Sequence, residues 1–296
     1  MNRALEAFAK VNRSLLVLGK RPDGFHELDT LFQTIDLSDE LLFEEDDRLT
    51  LSVAGEEIPA DGTNLVLRAA RALSERTGPA PGARIRLVKR IPVGAGLGGG
   101  SADAAAALLG LNALWGLGLT REELGSVAAS VGSDVAFFLF GGRARGTGRG
   151  ERIEPLPDAP DESLVLLFPP FGMPTPDVYR SLDTSPLPVP PRRGPAGKAP
   201  PDRNDLEAAA ERLRPELAAL RASLRAAGAS PARLSGSGST VFGVFGSREE
   251  AHRAAESLDG RGGVRAAVTR TLSRADWSRR ALPWRTEGAS APEALR

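Results

Sequence analysis

Cysteine is absent from the 296 residues. Disulfides, thiolate catalysis and cysteine-based zinc sites are thereby excluded. Histidine occurs only at His26 and His252, too few for a histidine-rich metal cluster. Lysine occurs only at Lys10, Lys20, Lys89 and Lys198 against a large number of arginines, so each lysine is worth inspecting. The formal net charge is zero, and bulk electrostatics therefore point to no nucleic-acid or membrane partner. No apolar run approaches membrane-spanning length, and the first residues lack an apolar signal core. A cytoplasmic protein of one large or two ordinary domains is the expectation.

Glycine, by contrast, is concentrated in one place. Pro92-Val-Gly-Ala-Gly-Leu-Gly-Gly-Gly-Ser101 holds five glycines within seven residues, and an alanine-rich helical run from Ala102 to Trp115 follows. Glycine lets backbone approach a ligand closely, and a helix N-terminus behind it offers unpaired N–H groups and a positive dipole end. That combination binds anions, most often phosphate. The alternating run Arg84–Arg90 upstream reads as a half-buried strand, which gives strand, glycine loop and helix. Gly94, Gly96 and Gly99 also satisfy the dinucleotide fingerprint. Pro92 directly after the strand, and the absence of a strand ending in an acidic residue downstream, weigh against that reading. A Walker A loop is excluded because Gly100 is followed by Ser101 without a lysine.

Strands are expected over Leu5–Gly19, Leu28–Leu37, Leu41–Glu45, Leu49–Ala54, Val135–Phe140, Leu164–Phe168, Ala232–Gly246 (with a glycine turn) and Val264–Leu272, with a hairpin over Arg143–Leu156. Helices are expected over Asn64–Arg76, after the capping box Thr120-Arg-Glu-Glu123, over Asn204–Ala227 with a break near Pro215, and over Ser247–Leu258. This order fits two α+β domains, residues 1–156 and 157–275. The proline-rich segment 184–202 reads as an exposed loop, and 276–296 as a tail without periodicity.

Three further segments carry chemistry. Lys10 and Asn12 lie two apart on a strand and therefore on one face. Gly132-Ser-Asp134 puts an acid in a tight turn, where a capping role is the ordinary alternative. Leu234-Ser-Gly-Ser-Gly-Ser239 is a small glycine turn between strands.

Taken together, these motifs resemble the GHMP small-molecule kinases, whose signature is a proline-led, Gly-Leu-Gly-rich loop. The run A-K-V-N from Ala9, the D-G-F-H ending at His26, the L-F-Q at Leu31–Gln33, the GSDVAFFLFGG segment, N-D-L-E at Asn204–Glu207 and the LSGSGSTVFGVF segment extend the resemblance from about Ala7 to Leu272. It implies a two-domain α+β architecture, an N-terminal nucleotide-binding domain and a C-terminal α/β sandwich with the active site between them. It implies ATP and Mg²⁺ as cofactors and catalytic roles for Lys10 and Asp134. Pro92, Val93, Gly94, Ala95, Gly96, Leu97, Gly98, Gly99, Gly100, Ser101 and Ala102 would hold the ATP phosphates, and Ser101 would be the direct metal ligand.

The matching branch of the family acts on a cytidine diphosphate-linked alcohol, on the route to isoprenoid precursors. In it Asn12, Phe25, His26, Phe32, Thr175 and Tyr179 would hold the substrate. The chain departs from the pattern at Phe25, where many members carry tyrosine, and at Ala102, which replaces a second loop serine. A kinase for homoserine or a mevalonate-type acid, and a catalytically silent nucleotide binder, are the alternatives. Assembly stays open between monomer and homodimer.

Overall fold

The computed structural model describes residues 3–78, 80–184, 198–199 and 202–282. Most of the expected proline-rich loop, and the stretch from 283 onward, lie outside the described residues. A long hairpin organises the molecule. Its arms, β1 (Arg3–Lys20) and β2 (His26–Asp46), pair antiparallel along nearly their whole length. They are followed by β3 (Leu49–Gly55), α1 (Leu65–Thr77), β4 (Gly82–Lys89), α2 (Gly99–Leu114), α3 (Arg121–Val131), β5 (Arg143–Gly148) and β6 (Arg152–Pro155). β2 pairs with β5 through its first half and β4 through its second, and β3 adds in parallel to β4, completing a six-stranded sheet. The two separate strands expected within 28–45 are thus one strand, because β1 runs along one edge from His26 to Phe43 while β5 and then β4 hold the two ends of the other.

The second half contributes β7 (Ser163–Phe168), α4 (Thr175–Asp183), α5 (Glu207–Leu213), α6 (Glu216–Ala226), β8 (Ala232–Leu234), β9 (Val241–Phe245), α7 (Arg248–Leu258), β10 (Arg265–Arg270) and α8 (Arg274–Ala281). Its four strands form an antiparallel sheet in the order β10-β7-β9-β8. Among the described residues no helix is long and apolar enough to cross a membrane.

Three apolar layers follow from these faces. Leu5 and Ala7 of β1 join α1, α2 and α3 in one core. Ala9 and Val11 join Leu164, Leu166, Phe242 and Val244 in a second core between the sheets. A bulge between Phe8 and Lys10 shifts the register there and turns Lys10 and Asn12 toward the glycine loop. Leu15 and Val17 join a third core under α4 to α7. The helix α2 lies close to the sheet because its inner face is small. A Cβ on Gly110 would stand 2.4 Å from the Phe43 ring.

Several local readings need correction. The apolar run expected as a strand over Val135–Phe140 is a short 3₁₀ helix, Val135–Leu139, fully buried against α2. Hydrophobicity alone does not separate a buried strand from a buried helical turn. The helix α4 has Pro174 at its N-cap and Pro176 in its first turn, so its start looks like a loop in the sequence.

The expected tail begins inside a helix. Ser273 caps α8, and Trp277 is 1% exposed, packed with Phe8, Leu272 and Ala281. The indole fills the space left by Gly141, where a Cβ would lie 2.1 Å from the ring. Arg280 adds ion pairs to Glu6 and Asp36. One large aromatic can thus anchor a helix that has little apolar periodicity of its own. Trp277→Ala is expected to lower stability by about 3–5 kcal/mol, the usual cost of removing a fully buried tryptophan. Chemical denaturation measures this, and an unchanged midpoint would show that α8 is dispensable.

Candidate active site

The glycine loop sits where β4 delivers the chain toward α2. Gly94, Gly96 and Gly98 all have φ between +67° and +76°. That conformation is why glycine is required there. Gly96 also touches the second glycine turn. A Cβ on it would lie 2.3 Å from the Ser235 carbonyl oxygen, and Ser235 Oγ donates to the Gly96 carbonyl at 2.9 Å. Gly98 is the N-cap of α2, so the N–H groups of Gly99, Gly100 and Ser101 in its first turn have no partner within the helix. They form an anion site at the positive end of a sixteen-residue helix.

Lys10 is 3% exposed and points beneath this loop. Its ammonium donates to Asn12 Oδ1 at 2.6 Å and to the Gly96 carbonyl at 3.0 Å, and it stands 3.4 Å from Asp134 Oδ2. Asn12 is fixed in turn by Nδ2 donating to Thr30 Oγ1 at 2.8 Å. Asp134 precedes the 3₁₀ turn but makes no capping hydrogen bond. The ordinary capping explanation therefore fails, and its carboxylate faces the cavity. Phe32 lies under the pair, its ring centroid 5.7 Å from the ammonium.

A cleft of about 970 Å³ runs from this centre in both directions. Its walls include every expected site residue except Ala102. Ala102 requires correction: it is buried in the helix core, and its N–H donates to the Gly98 carbonyl at 2.8 Å, so it offers a ligand nothing. Leu97 contributes backbone alone, since its side chain is buried between the sheets.

At the other end of the cleft His26 and Tyr179 stack, with ring centroids 4.7 Å apart. His26 Nε2 bonds Asp183 Oδ1 at 2.8 Å, and Lys20 bonds the other oxygen at 2.6 Å. Lys20 foremost, and His26 after it, hold the Asp183 carboxyl below its usual range. A carboxylate only accepts, so Nε2 donates in this bond, and in the neutral tautomer Nδ1 is left as an acceptor. Burial, and then the charge of Asp134, push the Tyr179 phenol up and keep it neutral. Phe25 stands at the rim, 49% exposed, under the Arg149 guanidinium at 4.7 Å. Thr175 opens α4 and bonds Ser237 of the second glycine turn at 2.9 Å.

Sequence reasoning missed Lys20, Arg149 and Asp183. Each is a charged residue in an unremarkable local context, and only the rarity of lysine hinted at Lys20. Ser101 lines the cleft. No group of three or more His, Asp or Glu side chains that could hold a metal occurs among the described residues. A Mg²⁺ ion arriving with phosphates fits this donor set, because it needs only one or two protein oxygens and keeps water.

This chemistry has relatives. Residues 64–142 match the GHMP kinases N terminal domain and residues 197–264 the GHMP kinases C terminal model. The chain is 46% identical over 268 residues to a 4-diphosphocytidyl-2-C-methyl-D-erythritol kinase of Moorella thermoacetica, covering 86% of this chain and 94% of the relative. It is 45% identical to the enzyme of that name from Nocardia farcinica, covering 90% and 92%. The crystal structure of a 4-(cytidine 5'-diphospho)-2C-methyl-D-erythritol kinase superposes with a TM-score of 0.75 at 41% identity, covering 90% and 98%. A homoserine kinase from Cytophaga hutchinsonii shares the fold, with a TM-score of 0.69 at 20% identity over 92% and 95%. The chain belongs to the GHMP kinases, in the family of the 4-diphosphocytidyl-2-C-methyl-D-erythritol kinases.

Proposed function

We propose that this chain transfers the γ-phosphate of ATP to the 2-hydroxyl of 4-diphosphocytidyl-2-C-methyl-D-erythritol, in the non-mevalonate route to isoprenoid precursors. The observation that carries the reading is one continuous cleft with three parts. A helix N-terminus for phosphates lies on one side, an aromatic and histidine end on the other, and Lys10 with Asp134 stands between them. We also propose a division near Leu156, in the gap between β6 and β7, with nucleotide-binding residues on the N-terminal side.

Phosphoryl transfer needs alignment and charge stabilisation more than covalent help. The alcohol proton passes to the Asp134 carboxylate as the oxygen bonds phosphorus, and the bond to the β-phosphate breaks to release ADP. Lys10 stands 3.4 Å from the Asp134 carboxylate and offsets charge growing on the transferred group. The N–H groups of Gly99, Gly100 and Ser101 hold phosphate oxygens in place of a Walker lysine. Mg²⁺ bound with ATP would neutralise phosphate charge, with the Ser101 hydroxyl as the protein oxygen placed to meet it.

At the far end, Nδ1 of His26 is an acceptor. Cytosine offers an amino donor where uracil offers a carbonyl, so this acceptor favours cytosine. Such a site sets the chain apart from homoserine and mevalonate kinases, whose acceptors carry no base.

Two sets of variants test the reading. Asp134→Asn should lower turnover by about two to four orders of magnitude while leaving the fold intact. Lys10→Ala should behave similarly, and the double variant should lose far less than the sum, because both serve one proton transfer. Near-normal turnover in Asp134→Asn removes it from the chemistry, and fully additive losses separate the two roles.

For the base, His26→Ala and Tyr179→Ala should each weaken cytidine diphosphate by about 1–3 kcal/mol in calorimetry, with ATP affinity nearly unchanged. Asp183→Ala should narrow the preference for cytidine over uridine diphosphate. If the wild type binds uridine diphosphate equally well, the cytosine reading fails.

A further inference from the structure

The N-D-L-E motif and the second glycine turn carry no step in the chemistry above. The turn joins β8 to β9 and leans on the transfer centre. Gly236 within it has φ +58°. A Cβ on Gly236 would stand 3.2 Å from Asn12 Oδ1, and 3.5 Å from both the Gly96 carbonyl oxygen and the Lys10 ammonium. Its backbone therefore covers Lys10 together with two of the partners that hold it. One residue earlier, Ser235 Oγ donates to the same Gly96 carbonyl at 2.9 Å. Beyond the turn, the Thr240 N–H reaches the Ala95 carbonyl at 3.1 Å.

Asn204 holds this turn from behind. It is 6% exposed and does not line the cleft. Its Nδ2 donates one hydrogen to the Leu234 carbonyl at 2.9 Å and the other to the Gly236 carbonyl at 2.7 Å. Its Oδ1 accepts from the Leu206 N–H at 2.9 Å. These partners fix the orientation of the amide, since the flipped group would set its oxygen against two carbonyls. A hydroxyl has one hydrogen to give and a carboxylate none, so neither can replace the fork.

The segment that carries Asn204 is fastened to β1. The Leu15 N–H donates to the Arg203 carbonyl at 2.8 Å, and the Asp205 N–H donates to the Leu15 carbonyl at 2.8 Å. Asp205 Oδ2 accepts from the Val17 N–H at 2.9 Å. One strand thus supplies the ammonium of Lys10 and, through Asn204, places the turn that covers it. Two buried carbonyls need donors in any fold. What distinguishes this pair is that one belongs to Gly236, which packs on Lys10, Asn12 and Gly96 at once.

We propose that Asn204 is a positioning residue for phosphoryl transfer. It acts through Gly236 on the Lys10 ammonium, and through Ser235 on the bend of the phosphate loop at Gly96. Without the fork the turn loosens, and Lys10 is no longer held between Asp134 and the phosphate, where small displacements are costly. The base end, built on His26, Tyr179 and Asp183, has its own contacts. The inference rests on the reading of Lys10 and Asp134 as the transfer centre.

The test is steady-state kinetics of the full chain with ATP and 4-diphosphocytidyl-2-C-methyl-D-erythritol, beside melting temperatures. Asn204→Ala removes both donors, and its kcat should fall about ten- to a hundredfold, the scale of a displaced reacting group. KM for the cytidylated acceptor should stay within about twofold. Asn204→Ser keeps one hydroxyl donor and should lie between, and it takes the place of the alanine variant if that does not fold. Asp205→Ala loosens the same segment from β1 without touching the turn. It should lower the melting temperature at least as much, yet keep kcat within about twofold of the wild type.

Near-normal kcat in Asn204→Ala, or in Asn204→Ser where the former does not fold, overturns the proposal. An equal loss of kcat in Asp205→Ala also overturns it, because activity would then follow stability alone. A raised acceptor KM with unchanged kcat does the same. No transfer by the wild type would instead overturn the kinase reading, with no variant needed.

Discussion

Burial of the Lys10 ammonium is the constraint on which the rest of the site depends. A cation that is 3% exposed must find polar partners inside the protein. Lys10 finds them on three separate segments: Asn12 on its own strand, the Gly96 carbonyl in the phosphate loop, and Asp134 after α3. Its backbone N–H adds a bond to the Leu97 carbonyl at 3.0 Å. Satisfying one charge thus draws the first strand, the glycine loop and the Gly-Ser-Asp turn to a single point. That point is where phosphate and alcohol would meet.

The loop reaches this point because glycine removes the atoms that would block it. Gly96 lets the second glycine turn close over it, Gly98 makes room for Phe138 and Lys10, and Gly99 rests on Lys89. The same economy operates farther along α2, where alanines and Gly110 bring the helix axis close to β2. The phosphate loop is thus held from below by charge and from the side by backbone contact. Pre-organised N–H groups of this kind need little rearrangement when an anion arrives.

The two ends of the cleft are polarised by different means. At the loop, the N-terminal end of a sixteen-residue helix favours negative charge. At the aromatic end, Asp183 accepts from Nε2 of His26 and so holds the ring in one orientation against Tyr179. Lys20 keeps Asp183 ionised for that task. The pair acts through geometry rather than through net charge, which suits recognition of a neutral base.

The sequence by itself determined a good deal. The glycine spacing at Gly94–Gly100 permits the positive φ that Gly94, Gly96 and Gly98 adopt, the alanine run behind it makes a helix, and Lys10 and Asn12 share a face because strands alternate. These are local consequences of covalent geometry, and the motif order carried the resemblance to a kinase family.

The tertiary structure decided what depends on distant partners. Val135–Leu139 is a 3₁₀ turn packed in the core with α2, and Trp277 became core because Gly141 leaves it a place. His26 meets Tyr179 and Asp183 only through the approach of α4 to the hairpin end. Lys89 reads as one more basic residue in an alternating strand until Asp39 and Asp103 close around it. Side-chain charge is visible in a sequence, but its dielectric surroundings and its partners are set by folding. Those surroundings determine where a proton resides.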